Sequence, residues 1–303
     1  MANLRTLPKA RDKISFLYFE HCRIEQDDRA IAIFKDKDKF FVPCASIATL
    51  LLGPGTSITH AAIKTLADNS CEVHWVGADV LRFYASGKGG SGNSDRLQHQ
   101  VSLWADPLKR LRVVRRMYQF RFDEELSEDL TLQQIRGREG VRVRTTYSQL
   151  SKATGVEWKG RDYKQTAWNE ADPINQALSI ANSCLYAVCQ AALNSVGYSP
   201  ALGFIHTGKP LSFAYDIADL YKAETSIPAA FDTVSETYFE LGPVVRRKCR
   251  ERFSQQRLMH RIVQDVDRIL EFGNPDDEAE PFCFLWDNQL KWVEGGKNWS
   301  DED

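Results

Sequence analysis

The hydrophobic pattern of this chain changes once, at a segment rich in glycine and serine at residues 85–94. Before it, short runs of β-branched and aromatic residues between turn residues predict strands at 14–19, 30–34, 40–42, 47–52, 71–76 and 81–84. A helix capped by Thr56 and Ser57 and ending near residue 67 is predicted among them. After it, apolar residues at helical spacing predict helices at 97–104, 108–122, 133–153, 174–196, 211–223, 229–239 and 244–270. Strands followed by helices are typical of an α+β protein, the fold class we predict.

Length and composition bound the organisation of the chain. Its 303 residues, 43% of them apolar, suffice for a buried core and for two domains. We expect a strand-rich domain at 1–85, a flexible linker at 86–96, a helical domain at 97–273 and an acidic tail at 274–303. No run approaches the ~20 apolar residues of a membrane span. The N-terminus lacks an apolar signal segment, so we expect a cytoplasmic protein with no membrane association.

Seven cysteines without a C-x-x-C pair argue against a disulfide framework and against structural zinc. We expect them to be reduced and mostly buried.

The net charge of −2 hides an uneven distribution. Residues 274–303 carry nine acids against two lysines, a net charge of −7, so the preceding 273 residues carry +5. The basic residues there form three clusters: Lys109, Arg110, Arg112, Arg115 and Arg116; Arg136, Arg138, Arg142 and Arg144 around Glu139; and Arg246, Arg247, Lys248, Arg250, Arg252, Arg257 and Arg261, opposed locally by Glu251 alone. One such cluster is equally typical of a solvated helix face, but three favour a nucleic-acid partner.

Residues 203–222 concentrate the chemically active side chains. Pro210 suits the first turn of a helix, and Asp216 and Asp219, three residues apart, are predicted to project from one face of that helix. Two neighbouring carboxylates repel each other unless a cation lies between them, and His206 offers a neutral nitrogen to the same cation. Taken singly, these residues would suit a core histidine and a solvated helix face. Together they predict a metal site.

The start of this segment nearly matches the phosphate-binding loop G-x-x-x-x-G-K-[ST], from Gly203 to Lys209. Pro210 stands where that loop needs a hydroxyl and a backbone N–H. The preceding residues also predict a helix, not the buried strand that such a loop follows. A P-loop ATPase, which would lose ATP turnover in Lys209→Ala, is therefore disfavoured.

A third metal donor is predicted at Glu139, in the middle of a helix and among arginines. Ordinary ion pairing between neighbours is the alternative explanation. Against it, Gly137 and Gly140 flank this acid, and each glycine costs a helix about 0.8–1 kcal/mol relative to Ala. That cost is easier to understand where a ligand or a backbone approaches closely. Oxygen donors with one imidazole and no thiolate favour Mg²⁺ or Mn²⁺, which beside arginines suits phosphodiester chemistry.

Four segments carry a family resemblance: GFIHTGKPLSFAYDIAD from residue 203, RGREGVRVRTTY from residue 136, NSCLY from residue 182 and WKGRDY from residue 158. They are similar to the CRISPR-associated adaptation integrase, the metal-dependent nuclease that inserts new spacers into a CRISPR array, in its type I-E form. More loosely, the resemblance covers residues 13 to about 270. It implies a β-sandwich-like N-terminal domain that forms a homodimer, followed by an all-α catalytic domain.

The resemblance also implies an assembly and a reaction. Two dimers of the chain would flank a dimer of a small ferredoxin-like CRISPR adaptation subunit, in a 4:2 heterohexamer. The substrate would be double-stranded DNA with single-stranded 3′ ends. Each 3′-hydroxyl would attack a phosphodiester of the CRISPR repeat DNA, a transesterification that needs no ATP.

Carried over residue by residue, the resemblance implies that the metal ligands and catalytic residues are Glu139, His206 and Asp219, with Asp216 as a supporting catalytic carboxylate. It implies recognition of the DNA end by Tyr163, Tyr186 and Lys209, and backbone contacts by Arg82, Arg110 and Arg161. The remaining basic residues that we predict to bind DNA are Arg136, Arg138, Arg142, Lys222, Arg246 and Arg250.

One position departs from the family pattern: His21 stands in the first hairpin, where a wedge tyrosine is common. The acidic tail matches no transferable pattern. The residues leave one alternative function open, a non-catalytic DNA-binding subunit of a nucleoprotein assembly, in which the carboxylates would be structural.

Overall fold

The structure, a computed structural model, describes residues 16–69, 71–78, 83–87, 94–122, 124–161, 171–273, 284–287 and 291–294. Along these residues a strand-rich part precedes a helical part, which confirms the predicted α+β class. The predicted Arg82 and Tyr163 lie outside the described residues.

Within the described residues, eight strands form two four-stranded sheets ahead of the long helices. They are β1 (Leu17–Phe19), β2 (Arg23–Asp27), β3 (Ala30–Lys35), β4 (Asp38–Pro43), β5 (Thr49–Leu52), β6 (Ser57–Ile58), β7 (Glu72–Val76) and β8 (Phe83–Gly87). The first sheet has the order β1-β5-β7-β8 and is parallel except for the β7–β8 pair. The second has the order β4-β3-β2-β6 and is antiparallel except for the β2–β6 pair.

The described helices are α1 (His60–Asp68), α2 (Asp95–Ala105), α3 (Pro107–Gln119), α4 (Leu132–Thr154), α5 (Pro173–Val196), α6 (Ser212–Tyr221), α7 (Ser226–Glu236), α8 (Leu241–Gln255) and α9 (Leu258–Leu270). Helix α5 is the centre of the helical part, because it packs against α6, α7, α8 and α9 and is buried on most of its surface. Its ends follow local rules: Asp172 accepts the backbone N–H of Asn175, and Gly197 closes the helix with a φ of 97°.

Strand β5 joins the two parts of the molecule. Leu50 and Leu52 pack with Ile24 of the second sheet and with α1, whereas Leu51 packs with the helices. Successive strand residues point to opposite faces of a sheet, so β5 lies between two cores. Phe16, fully buried just before β1, also belongs to the helical core.

Three predictions about individual elements are wrong. Strand β2 is absent from the predicted set, because polar residues fill it and only Ile24 is buried. Helix α1 is capped by Thr59, which accepts the backbone N–H of Ala62, and not by Thr56 and Ser57. The helix predicted at 244–270 is two helices, α8 and α9, separated where Arg257 adopts a φ of 49°.

The change of pattern falls where it was predicted, with β8 ending at Gly87 and α2 beginning at Asp95. Residues 88–93 lie outside the described residues, so the domain boundaries and the flexible linker stay predictions. Of the tail, the structure describes an antiparallel pair, β9 (Phe284–Asp287) and β10 (Lys291–Glu294).

Six of the seven cysteines lie within the described residues; all are buried and none forms a disulfide there. The seventh, Cys283, lies outside them. No helix among the described residues is both long enough and apolar enough to span a membrane.

Candidate active site

One cleft of about 1250 Å³ brings the three predicted metal ligands together. Glu139 reaches it from α4, His206 from the loop before α6, and Asp219 from α6 itself. The strand-rich part contributes His74 and Tyr84 to the wall. The fold therefore gathers side chains that are far apart in sequence, while their role as ligands stays a prediction.

Asp216 does not line this cleft; it is fully buried beneath the loop that carries His206. Its Oδ2 accepts the backbone N–H groups of Phe204 (2.6 Å) and Ile205 (2.9 Å), and its Oδ1 accepts that of His206 (2.8 Å). The prediction that Asp216 and Asp219 share one cation on one helical face is therefore wrong, because backbone donors balance the charge of Asp216. Asp216 is instead placed to support the loop.

The orientation of His206 follows from the same carboxylate. Its Nδ1 lies 2.6 Å from Oδ1 of Asp216, so Nδ1–H donates to the carboxylate and Nε2 is the nitrogen left for the cleft. The hydrogen bond to Asp216 raises the pKa of His206, an effect that burial opposes only in part. A carboxylate behind an imidazole is the arrangement that orients metal-binding histidines in proteins.

The loop before α6 is held tightly from several sides. A Cβ atom on Gly203 would lie 2.3 Å from the carbonyl oxygen of His206, so a side chain has no room there. Trp104 donates through Nε1 to the carbonyl of Gly203 (2.9 Å), and Arg110 donates to the carbonyl of Phe204 (2.9 Å). Side chains of α2 and α3 thus hold two backbone carbonyl groups of this loop in place.

The same loop cannot be a phosphate-binding loop. The amides of Phe204, Ile205 and His206 already donate to Asp216, so they are not free to cradle a phosphate. The loop also follows helix α5 and not a strand. Both observations agree with the argument from Pro210.

Glu139 lies in the middle of α4, whose first turn is fixed by a capping box between Thr131 and Gln134. Arg142 donates to both carboxylate oxygens through Nε (2.8 Å) and Nη2 (2.9 Å). Arg121 adds a third contact through Nη1 at 3.3 Å. Burial alone would raise the pKa of Glu139, but the hydrogen bond from Arg142 and the charges of the two arginines outweigh it and lower the pKa.

Asp219 is also bound by cations. Lys222 Nζ lies 2.6 Å from Oδ1, and Arg121 Nη2 lies 3.9 Å from Oδ2. Burial would raise the pKa of Asp219, but the charges of Lys222 and Arg121 outweigh it and hold the pKa below its usual range. Both carboxylates are therefore ionised at neutral pH and at mildly acidic pH.

Arg121 is the site residue that the sequence analysis missed. Its side chain is 5% exposed, and it contacts both Glu139 and Asp219. Its guanidinium also lies 5.1 Å from the ring centre of Tyr118. Arg121 follows α3 and belongs to none of the basic clusters; the only local signal is a charge between Phe120 and Phe122.

The donor types in the cleft fit a Mg²⁺ or Mn²⁺ ion: two carboxylates, and one imidazole that is oriented by a third carboxylate. In the described conformation arginine and lysine side chains engage those carboxylates. No three His, Cys, Asp or Glu side chains among the described residues converge closely enough to hold a metal ion. Glu139, His206 and Asp219 would hold the ion once the two carboxylates are released from their cations.

Comparison with known proteins identifies the family. The profile described as CRISPR associated protein Cas1 matches residues 16–125 and 118–238, more than half of the chain. The chain belongs to the Cas1 family. The resemblance seen in the four sequence segments is thus confirmed at the level of the family.

Several Cas1 relatives match over most of their length. CRISPR-associated endonuclease Cas1 2 of Thermus thermophilus is 47% identical over 308 residues, which is 99% of this chain and 94% of the relative. CRISPR-associated endonuclease Cas1 of Escherichia coli is 39% identical over 277 residues, which is 89% of this chain and 91% of the relative. The family is therefore one of enzymes, and its curated relatives are named endonucleases.

Solved structures give the same family and fold. A crystal structure of a TtCas1–DNA complex has a TM-score of 0.81 and 47% identity, covering 93% of this chain and 100% of that one. A casposase bound to its integration product has a TM-score of 0.68 and covers 88% of this chain and 93% of that one. At 16% identity the casposase supports the Cas1 fold alone.

Among the predicted DNA contacts of this Cas1 chain, four line the cleft: Tyr186, Lys222, Arg161 and Arg142. Tyr186 packs edge-on against Tyr215 with ring centres 4.8 Å apart. The Nζ atom of Lys222 lies 5.0 Å from the Tyr186 ring centre, and its positive charge is already paired with the carboxylate of Asp219. Arg161 donates to Asn175 and to Ser179, which fixes it along the wall of the cleft.

The remaining predicted contacts and Arg142 fall into two groups. Arg136, Arg138 and Lys209 are exposed, and no acid among the described residues lies within ion-pair distance of them. Arg110 and Arg142 are engaged instead, the first with the loop carbonyl of Phe204 and the second with Glu139. Arg136 and Arg138 of α4 are therefore exposed and without an ion pair among the described residues.

The cluster predicted on α8 is largely neutralised. Arg246 is buried and stacks on Tyr18 at 4.2 Å, so the prediction that it binds DNA is at odds with its placement. Arg250 is half-buried near Phe16. Acids from other elements pair with three further members, Glu236 with Lys248, Asp232 with Arg252 and Glu224 with Arg261, and Arg247 pairs with Glu251 of its own helix.

His21, at the wedge position, is exposed in the turn between β1 and β2. It adopts a φ of 50°, and its backbone N–H donates to the carbonyl of Pro54. A role in measuring the DNA duplex stays a prediction.

Proposed function

We propose that this protein is a metal-dependent DNA integrase and endonuclease that inserts spacer-precursor DNA into a CRISPR array by 3′-hydroxyl transesterification. The observation that carries the proposal is the cleft of a Cas1-family chain, which Glu139, His206 and Asp219 all line and in which Asp216 orients His206 through a hydrogen bond.

The chemistry needs no external energy. The 3′-oxygen of the incoming strand attacks a phosphorus atom of the repeat, and the bond from that phosphorus to the repeat's own 3′-oxygen breaks. One phosphodiester forms for each one broken, and the proton of the attacking hydroxyl is balanced by the one taken up by the leaving oxygen. When bound, Mg²⁺ or Mn²⁺ would polarise the phosphoryl oxygen and lower the pKa of the attacking hydroxyl.

The residues of the chain supply the remaining functions. Asp216 holds His206 in one tautomer, with Nε2 toward the cleft. Glu139 and Asp219 are ionised at neutral pH because neighbouring cations lower the pKa of each. Tyr186 offers an aromatic face to an unpaired base, and the exposed Arg136 and Arg138 suit a phosphate backbone. The DNA complex of the related TtCas1 supports DNA as the partner.

The proposed assembly is a homodimer through the strand-rich part, joined to a small ferredoxin-like subunit in a 4:2 heterohexamer of the type I-E form. The four resembling segments support the subtype. Exposed aromatic side chains on the outer strand β4, Phe40 and Phe41, support an interface there, since a bare strand edge with apolar side chains is typically covered.

The test uses purified protein, Mn²⁺ and a branched DNA that mimics a half-integrated spacer. Wild type is expected to resolve the branch, whereas Asp219→Ala and His206→Ala are not. Two matched controls, Asp68→Ala and His60→Ala, change exposed residues of α1 that do not line the cleft and should retain activity. Equal activity in all five proteins would refute the assignment of the site.

A non-catalytic DNA-binding subunit is the second candidate, favoured by the cations that engage both carboxylates. It predicts that wild type binds the branched DNA without cleaving it at any metal concentration. The same experiment separates the two functions.

A further inference from the structure

The two candidate ligand carboxylates share their surroundings with three cations. Glu139 contacts Arg121 and Arg142, and Asp219 contacts Lys222 and Arg121. All five side chains line the same cleft. Two negative charges thus face three positive ones before any metal ion or His206 is counted.

Arg121 stands out among these cations because it bridges both carboxylates and is almost completely buried. Its Nη1 donates to Glu139, but among the described residues its Nε and Nη2 make no hydrogen bond. A buried guanidinium with unused donors is costly, and planar N–H pairs of this kind match phosphate oxygens. The Arg121 side chain lines the cleft that the proposed reaction uses, but its unused donors are shielded from solvent in the described conformation, so a phosphate would reach them only after the guanidinium turns toward the cleft.

This charge balance has a consequence for metal binding. A divalent ion that enters alone competes for the carboxylates with Arg142 and Lys222 as well as with Arg121, and it adds positive charge beside these three cations. A DNA phosphate that enters with it offers Arg121 a new partner and brings negative charge. The two ligands should therefore bind more tightly together than either does alone.

We propose that Arg121 couples metal binding to DNA binding: in the free protein its charge adds to those of Arg142 and Lys222 beside Glu139 and Asp219, and a DNA phosphate that binds its guanidinium offsets that added charge and so favours the metal ion. This inference rests on the proposed function, and it makes Arg121 a positioning residue for the metal ligands. Sequence position alone gives no hint of it, because Arg121 precedes Glu139 by 18 residues and lies outside α4.

The test measures Mn²⁺ affinity by calorimetry or by electron paramagnetic resonance at fixed ionic strength. The DNA is a duplex whose 3′ ends are dideoxy-terminated, so that no strand transfer occurs. For wild type, we expect Mn²⁺ to bind roughly tenfold more tightly when the DNA is present, and the DNA to bind more tightly by the same factor when Mn²⁺ is present. Arg121→Met without DNA should bind Mn²⁺ about as tightly as wild type with DNA, and adding DNA should change little.

The matched control is Arg268→Met, which removes an exposed arginine of α9 that does not line the cleft and belongs to none of the basic clusters. It should retain the wild-type coupling. If Arg121→Met does not fold, as judged by circular dichroism, Arg121→Gln carries the same expectation, and the wild-type comparison needs no variant.

The outcomes are distinct. Equal Mn²⁺ affinity with and without DNA in wild type overturns the coupling, and so does an Arg121 variant that behaves like wild type; neither result touches the proposed reaction. An absence of Mn²⁺ binding in every protein, with DNA and without it, overturns the metal dependence of the proposed function itself.

Discussion

At the scale of single residues, Asp216 and Asp219 show how identical side chains three positions apart acquire different tasks. Asp216 turns into the protein and binds four hydrogen-bond donors, whereas Asp219 turns into the cleft and meets Lys222 and Arg121. The difference arises because the preceding loop folds back over one aspartate and not over the other.

The first prediction concerns Asp216→Asn. An amide has one acceptor oxygen in place of two, so two of the donors now bound to the carboxylate would face an NH₂ group. We expect the free energy of unfolding to fall by about 3 kcal/mol, since each buried unsatisfied donor costs about 1–3 kcal/mol. Urea titration measures it. Asp68→Asn, which removes an exposed ion pair with Lys64, should cost less than about 0.5 kcal/mol, and an equal effect in both variants would contradict the account.

The second prediction concerns Gly203→Ala. The added methyl group would lie 2.3 Å from the carbonyl oxygen of His206 and 2.7 Å from the carbonyl carbon of Ser212, both backbone atoms. The loop can accept it only by moving His206, so we expect a loss of about 2 kcal/mol, within the usual range for overpacking. A chemical-shift change of the His206 imidazole in a two-dimensional NMR spectrum would report the movement. An unchanged spectrum with unchanged stability would argue against this packing.

At the scale of elements, α4 carries two glycines where no described residue requires a glycine. A Cβ atom on Gly137 would meet no atom within 4 Å, and one on Gly140 would meet only Arg144 at an ordinary 3.6 Å. The sequence analysis explained these glycines by the close approach of a ligand or a backbone, but no described residue of the chain comes that close to them. Gly137 is exposed on this helix, as are its neighbours Arg136 and Arg138.

The third prediction is that Gly137→Ala stabilises the protein. In an exposed helix interior with free space, alanine should raise the free energy of unfolding by about 0.8–1 kcal/mol relative to glycine. Thermal unfolding measures this, and the same substitution at Gly203 is the control with the opposite sign. DNA affinity of Gly137→Ala tests the partner: a several-fold loss would show a close approach by the phosphate backbone, whereas unchanged affinity would place the DNA elsewhere.

Elements also mark the limit of what could be predicted from sequence. The fold class could be predicted from hydrophobic periodicity, and the presence of Glu139, His206 and Asp219 in one cleft could be predicted from the family-like segments. The neutralisation of the basic cluster that begins in α8 could not be predicted, because acids that pair with it, such as Asp232 and Glu224, belong to other elements. The role of Arg121 could not be predicted for the same reason, because its partners Glu139 and Asp219 belong to other elements.

At the scale of the whole molecule, the strand-rich and helical parts are joined by a shared core. Phe16 is fully buried and lies against Phe253 of α8, with ring centres 6.1 Å apart. Leu51 of β5 enters the same core, while Leu50 and Leu52 on the opposite face pack between the sheets. The cleft takes its wall from both parts, so its shape depends on this junction.

The last prediction follows from that junction. Phe16→Ala should cost about 3–5 kcal/mol, the usual loss for a large buried aromatic side chain. Because the core is shared, the cost should appear in both parts: hydrogen exchange should show protection falling by the same amount in β5 and in α5, as expected for one cooperative unit. Phe239→Ala, which removes an exposed aromatic side chain between α7 and α8, should change protection in neither part by more than about 0.5 kcal/mol. If Phe16→Ala lowers protection in β5 alone, the two parts unfold independently, and the sequence-based division into two separate domains is the better description.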